Sequence, residues 1–285
     1  MHTAALFPGQ GSQAEDLTET LARLRPDLLE LATAELGDNA LERPAESTAY
    51  AQPATYCASL AGWSLLGSER VDVLAGHSLG ELSALAAAGA IDEASGLRLV
   101  ALRGRLMERA ADEGAGEGGM LALSVSRDVG AALARGFGVT VASDNSPDQV
   151  VLSGERDWLE VLAEEARATG VHTKLLPIRG AFHSSAMTSA RDEFADALKR
   201  IPVRQPRIPV FSCMSAAAMD EPRCRLTQAL TNPVRWRETL VALRAHGVKR
   251  FIEVGPGKVL TGLVKRTLDG VETTAAQRLM AGGRR

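Results

Sequence analysis

Apolar residues at 17, 21, 24, 28 and 31 recur three and four apart, the spacing that lines one face of a helix; Pro26 splits the run and Gly37 stops its second half. Ahead of them, residues 3–7 form a short apolar run into Pro8-Gly9-Gln10-Gly11, which predicts a strand ending in a glycine-controlled turn. A helix over 53–66 follows, then a compact apolar strand at 71–75 leading into Gly76. Helices over 79–88 and 93–109 come next, the second with Asp92 as its N-cap. Both helices are expected to cover a sheet.

From 120 the elements shorten. Strand 120–125, helix 127–135, strands 139–143 and 149–153, helix 156–169 and strand 171–177 make a β-α-β-β-α-β series. Flanked by glycine-rich 114–119 and by Arg179-Gly180, this series predicts a ferredoxin-like domain inserted between two parts of a larger one. Alternation then resumes with helix 186–199, strand 208–212, helix 236–245, strand 250–254 and a last helix over 258–268. The expected division is 1–119 with 183–285 for the larger domain and 120–182 for the smaller. The tail ending Gly282-Gly283-Arg284-Arg285 has little to bury.

Composition narrows the class. With 285 residues, 45% of them hydrophobic, the chain can bury a large core. Its 32 basic and 35 acidic residues give a net charge of −3, which exerts no general pull on nucleic acid or anionic lipid. The uncharged stretch around 82–91 is far short of the ~20 residues that span a bilayer. The first residues, MHTAALFPGQGSQ, lack the basic and apolar regions of a secretory leader. Cys57, Cys213 and Cys224 are odd in number and widely spaced, unlike a disulfide framework or a zinc site. A cytoplasmic location, with no metal or redox cofactor, is the expectation.

Candidate chemistry collects at the turns. Gly76-His77-Ser78-Leu79-Gly80 fits G-x-S-x-G, in which small flanking residues let a strained serine stand between strand and helix. A helix beginning just after Ser78 would aim free N–H groups at an oxyanion. A serine nucleophile needs a base, and the chain has His2, His77, His172, His183 and His246. His183 lies where the inserted unit rejoins the larger one, just before a helix, whereas His77 should point away from the serine; by spacing alone a structural histidine remains the usual reading. Arg103 stands in an apolar stretch of helix, so it must be salt-bridged or hold an anion, and spacing does not choose between these.

Taken together the motifs resemble one family over nearly the whole chain: the malonyl-CoA:acyl-carrier-protein transacylases, whose acyltransferase fold also occurs inside fatty-acid and polyketide synthases. The motifs run in order: Pro8-Gly9-Gln10-Gly11-Ser12-Gln13, Gln52-Pro53-Ala54, Gly76 to Glu81, Arg103 to Met107, Asn145-Ser146-Pro147, Ala181 to Ser184, Asn232 to Trp236 and Glu253 to Gly257. The resemblance implies an α/β fold, with an α/β-hydrolase-like large domain built on a parallel sheet and the ferredoxin-like small domain inserted in it. It implies Ser78 as acylated nucleophile and His183 as base, without a required carboxylate. A backbone carbonyl near Ala229 would orient the histidine. Backbone N–H groups of Gln10 and Leu79 would form the oxyanion hole, and Arg103 would pair with the malonyl carboxylate. Met107 and Phe182 would line the acyl pocket, with Gln52 and Asn145 also binding substrate, and Phe182 would crowd an α-methyl branch. The implied partners are malonyl-CoA, as a coenzyme A thioester substrate, and a phosphopantetheine-bearing acyl carrier protein; the implied state is a monomer.

The chain departs from the family pattern where Ala14-Glu15-Asp16 follows Gln-Gly-Ser-Gln directly, which starts the first helix early, and where Leu82 stands in place of a common tyrosine. Two rival functions share the motifs: a hydrolase of the same fold that clears acyl groups from carrier proteins, and an inactive module that only docks a carrier. Retention of Arg103 argues against the first, intact Ser78 and His183 against the second.

Overall fold

The structure is a computed structural model and describes residues 2–11, 16–114 and 117–276. The first unit runs β1 (His2–Phe7), α1 (Leu17–Leu24), α2 (Pro26–Leu36), α3 (Thr48–Ser64), β2 (Val73–Gly76), α4 (Gly80–Ala87) and α5 (Glu93–Asp112). The second runs β3 (Gly118–Leu123), α6 (Arg127–Ala134), β4 (Thr140–Ser146), β5 (Gln149–Glu155), α7 (Arg156–Ala168) and β6 (Thr173–Leu175). The chain then returns through α8 (Thr188–Lys199), β7 (Val210–Ser212), β8 (Ala217–Ala218), α9 (Pro222–Gln228), α10 (Trp236–Ala245), β9 (Val248–Glu253), α11 (Val259–Thr267) and β10 (Glu272–Ala275). The result is a two-domain α/β fold with a larger and a smaller sheet.

The larger sheet has the order β10-β9-β1-β2-β7-β8. Its strands are parallel, except that the short edge strand β8 runs antiparallel to β7. The expected parallel sheet is thus a mixed one at that edge: a hairpin of two residues closes there, too short to leave a hydrophobic periodicity. Ala4, Ala5, Leu6 and Phe7 of β1 are all fully buried, as a parallel strand covered on both faces requires. β1 and β2 lie side by side with Phe7 opposite Gly76, so the turns leaving their carboxyl ends meet. Clefts for ligands form at such adjacent strand ends.

The smaller sheet is antiparallel in the order β4-β5-β3-β6. Alternation along its strands assigns two different cores. Leu121, Leu123, Val150 and Leu152 pack with Leu159, Leu162 and Ala166 of α7, while Met120, Ala142 and Val151 on the other face join the main core of the larger domain.

Several local choices are readable. Asp92 caps α5 by accepting from the Ser95 N–H at 2.8 Å, which satisfies one of the free donors of that helix start. The expected start of α3 at Pro53 is corrected: the helix begins at Thr48 and carries Pro53 inside it. Pro53 is the sixth residue of the helix, so it forfeits the one bond that an N–H there would make to the Ala49 carbonyl, while the turn before it still forms, with the Ala51 N–H on Ser47 O. β8, α9 and β10 had not been expected. β10 is the sequence Glu-Thr-Thr-Ala, whose two β-branched residues suit a strand but leave no clear alternation. The expectations for the Ala14-Glu15 segment and for the C-terminal tail fall outside the described residues. Among the described residues no helix is long and apolar enough to cross a membrane.

Candidate active site

The turn between β2 and α4 is tight enough to dictate its sequence. A Cβ added to Gly76 would lie 2.0 Å from the Gly80 carbonyl carbon, and one added to Gly80 would lie 2.1 Å from the Phe7 carbonyl oxygen. Only glycine fits at either place. Between them Ser78 sits at φ 52°, a left-handed conformation that costs a side-chain-bearing residue about 1–2 kcal/mol. The strain lifts its hydroxyl out of the turn. Its N–H donates to the Cys213 sulfur at 3.3 Å, at the end of the neighbouring strand β7. Among the described residues neither the Leu79 nor the Gln10 N–H donates to an acceptor within the protein.

Ser78 Oγ lies 2.9 Å from Nε2 of His183. His183 also holds a left-handed backbone, φ 59°, and is buried. Its Nδ1 lies 2.7 Å from the Ala229 carbonyl and 3.2 Å from that of Asn232. Two acceptors facing Nδ1 require the proton there, which leaves Nε2 with a lone pair toward the serine hydroxyl. Burial, reinforced by the nearby Arg103 charge, pushes the imidazole down to about 3 from the usual 6.5. His183 is therefore a neutral histidine, ready to accept a proton.

Arg103 of α5 supplies the third group. Its guanidinium donates to Ser78 Oγ at 3.1 Å and to Gln52 Oε1 at 2.8 Å. It is 4% exposed, yet among the described residues no carboxylate stands within ion-pair distance of it, so it is not the salt-bridged helix arginine that spacing allowed. Burial lowers its basicity to about 10, partly offset by Glu81. A buried cation without a counter-ion is costly, and the cost is recovered when an anion docks. Gln52 reaches Met107 Sδ as well, at 3.4 Å, so the Gln52 amide bridges arginine and methionine.

The remaining candidates are placed differently. Phe182 precedes His183 and is buried in the main core, where its ring lies against Gly180. Asn145 is not joined to the serine and histidine: its Oδ1 takes up His77 Nε2 at 2.9 Å together with the Ser143 hydroxyl, and its Nδ2 reaches Gln149. His77 points away from Ser78 and packs on Trp236 with ring centroids 5.3 Å apart. Two groups close to the serine had no signal as such in the sequence. Cys213 had been weighed only for disulfide and metal spacing, and its approach to Ser78 depends on β2 and β7 being neighbours. Glu81 is fully buried, accepts the Cys213 N–H at 2.8 Å, and is raised above the usual carboxylate range by burial. No group of three metal-ligating side chains occurs among the described residues.

Comparison with known proteins follows the same lines. The model of the family described as "Acyl transferase domain" matches residues 6–282. The chain is similar to the malonyl CoA-acyl carrier protein transacylase of Escherichia coli K12, 37% identical over 294 residues that cover 95% of this chain and 94% of that one. Among solved structures it is similar to the acyl-carrier-protein S-malonyltransferase of Bartonella henselae, with a TM-score of 0.90, 32% identity, and coverage of 100% and 99%. A malonyl-transacylase solved in complex with its type II polyketide acyl-carrier protein superposes with a TM-score of 0.83 at 33% identity, covering 96% of each chain.

Proposed function

The chain belongs to the acyl transferase domain family, and we propose that Ser78 and His183 carry its reaction, the transfer of malonyl from coenzyme A to the phosphopantetheine thiol of an acyl carrier protein. The enzyme is a malonyl-CoA:acyl-carrier-protein transacylase of the kind that serves fatty-acid and polyketide synthesis. The observation that carries the residue assignment is the convergence of two groups on one oxygen. Ser78 Oγ lies 2.9 Å from a histidine nitrogen and 3.1 Å from an arginine that, among the described residues, has no carboxylate within ion-pair distance.

In the first half-reaction Nε2 of His183 takes the Ser78 proton as Oγ attacks the thioester carbonyl. The N–H groups of Leu79 and Gln10 receive the developing oxyanion, with the positive end of α4 behind Leu79. The tetrahedral intermediate collapses when the coenzyme A sulfur leaves and takes the proton back from His183. In the second half the carrier's thiol gives its proton to Nε2, attacks the malonyl-serine ester, and Oγ leaves with that proton. One site thus serves two thiols in turn. The malonyl carboxylate pairs with Arg103, which selects a dicarboxylate and cancels the charge that opposes an imidazolium on His183. Gln52 and Met107 act through that arginine, and Phe182 shapes the acyl side so that malonyl is preferred over methylmalonyl, a difference of about 1–3 kcal/mol for one methyl group.

The proposed working unit is a monomer. The proposed division is a catalytic domain of 1–119 and 183–285 and a small domain of 120–182, acting in the cytoplasm. The test is intact-protein mass after mixing with malonyl-CoA, followed by addition of phosphopantetheinylated carrier. A malonyl adduct that moves to the carrier is expected, and none on Ser78→Ala. An adduct retained by Ser78→Ala would overturn the nucleophile, and free malonate without carrier loading would make the enzyme a hydrolase.

A further inference from the structure

The carbonyls that orient His183 belong to a segment with little regular structure of its own, between the end of α9 and the start of α10. That segment is fastened from outside. Val234 forms a bridge to β4 of the small sheet, donating to Ala142 O at 2.9 Å and accepting from the Asp144 N–H at 2.8 Å. The Arg235 N–H donates to Cys213 O at 2.7 Å. Arg237, in the first turn of α10, then reaches back to β4 and pairs with Asp144 through Nε at 3.0 Å and Nη2 at 2.9 Å. The Asp144 side chain is 2% exposed and that of Arg237 35%, so water competes little for the carboxylate.

The pairing register of β4 with β5 is irregular both between Val141 and Ser143 and between Asp144 and Ser146. Such irregularities re-aim side chains beside functional sites. Here they let consecutive residues serve both halves of the catalytic pair. Asn145 holds His77, the neighbour of Ser78, while Asp144 holds the segment that orients His183.

We infer that Asp144 and Arg237 are positioning residues for the reaction: their ion pair clamps the 229–237 segment to the small domain and so fixes the imidazole of His183 against Ser78. The inference rests on His183 being the base. Neither residue touches the reacting atoms. Loss of the pair leaves the backbone bridge at Val234, so the segment stays attached, but the Ala229 and Asn232 carbonyls gain freedom and the imidazole with them.

The experiment is single-turnover acylation by malonyl-CoA, followed by intact mass, in the full-length enzyme with Arg237→Met, His183→Ala and both. In the unsubstituted background Arg237→Met is expected to slow acylation about tenfold at saturating malonyl-CoA, with half-saturation changed less than twofold. In the His183→Ala background, whose slow residual acylation comes from the oxyanion site and binding, the same substitution is expected to change the rate less than twofold. Arg237→Lys, which keeps a cation opposite Asp144, should recover most of the rate. An equal loss in both backgrounds, an unchanged rate in the first, or a loss confined to half-saturation would overturn the inference. If the unpaired Asp144 prevents folding, the double variant Asp144→Asn, Arg237→Gln leaves no charge at either position of the pair and is read by the same comparison. Absence of a malonyl adduct on the unsubstituted enzyme would overturn the Ser78–His183 assignment itself, and this inference with it.

Discussion

Replacing Arg103 by methionine removes a buried guanidinium that donates to Ser78 Oγ and Gln52 and, among the described residues, pairs with no carboxylate. The losses at Ser78 and Gln52 are common to every acyl donor, so the ratio of malonyl to acetyl transfer isolates what the arginine does for the substrate carboxylate. Truncating one partner of a buried charge pair costs about 2–5 kcal/mol, part of it the penalty of leaving the other charge unpaired. Taking about 2–4 kcal/mol for a carboxylate that can still recruit water, malonyl kcat/KM should fall about 30- to 1,000-fold. Acetyl transfer loses no such pair and should change about threefold or less, so the malonyl-to-acetyl ratio should drop at least about tenfold. The assay is kcat/KM for the two coenzyme A thioesters with one phosphopantetheinylated carrier protein. Equal falls for both donors would make Arg103 a support for the serine and refute the carboxylate argument. The same variant relieves the desolvation of a buried guanidinium that Glu81 only partly offsets, so in the absence of substrate its melting temperature should equal or exceed that of the parent.

The pH dependence follows from His183. Because its imidazole is pushed down to about 3, kcat/KM of the free enzyme should stay level from pH 8 to pH 5, and Arg103→Met should move the acid limb upward, since the arginine is one cause of the depression; a limb that does not move would exclude that field effect. The sign for stability is the same: the unfolded chain protonates this histidine below about 6.5 while the folded one does not, so its contribution is present above that pH and is lost as pH falls toward 3. Gly80→Ala, whose Cβ would meet Phe7 O at 2.1 Å, should cost more than about 3 kcal/mol in urea melts. Gly262→Ala, in α11 with nothing within 4 Å, should instead gain about 0.5–1 kcal/mol; similar values for the two would refute the steric reading of the turn. Finally, Cys57 and Cys213 are buried with thiols driven up in basicity, Cys57 to about 12, whereas Cys224 is half-buried. Native alkylation read by peptide mass should therefore label Cys224 alone, and labelling of Cys213 without unfolding would contradict its burial.

Residues close in sequence carried most of what could be read without coordinates. The Asp92 cap, the Pro26 break between α1 and α2, and the β-α-β-β-α-β series depend on contacts within a few residues, and these recur in the structure at or near the expected positions. The elements that escaped, β8, α9 and β10, are short and lie at edges or in connections, where burial is too slight to impose a pattern. Pro53 misled for a related reason: proline signals a helix start locally, but packing of the preceding turn against α5, including the Ala49 N–H on Glu108, extended the helix past it.

What the sequence by itself determined is the strained turn at Ser78, because glycines at 76 and 80 are demanded by backbone contacts of 2.0 and 2.1 Å that nothing larger could make. Tertiary structure alone decided what that turn faces. Ser78 and His183 are 105 residues apart, and the gap between their side chains closes to 2.9 Å only because β2 lies between β1 and β7 while the small domain holds the segment that orients the histidine. The same holds for Arg103, whose helix spacing allowed a salt bridge as readily as an anion site. Which side chains face its guanidinium depends on which elements pack around α5, and long-range packing of that kind follows from the sum of many weak apolar contacts rather than from any local run of residues.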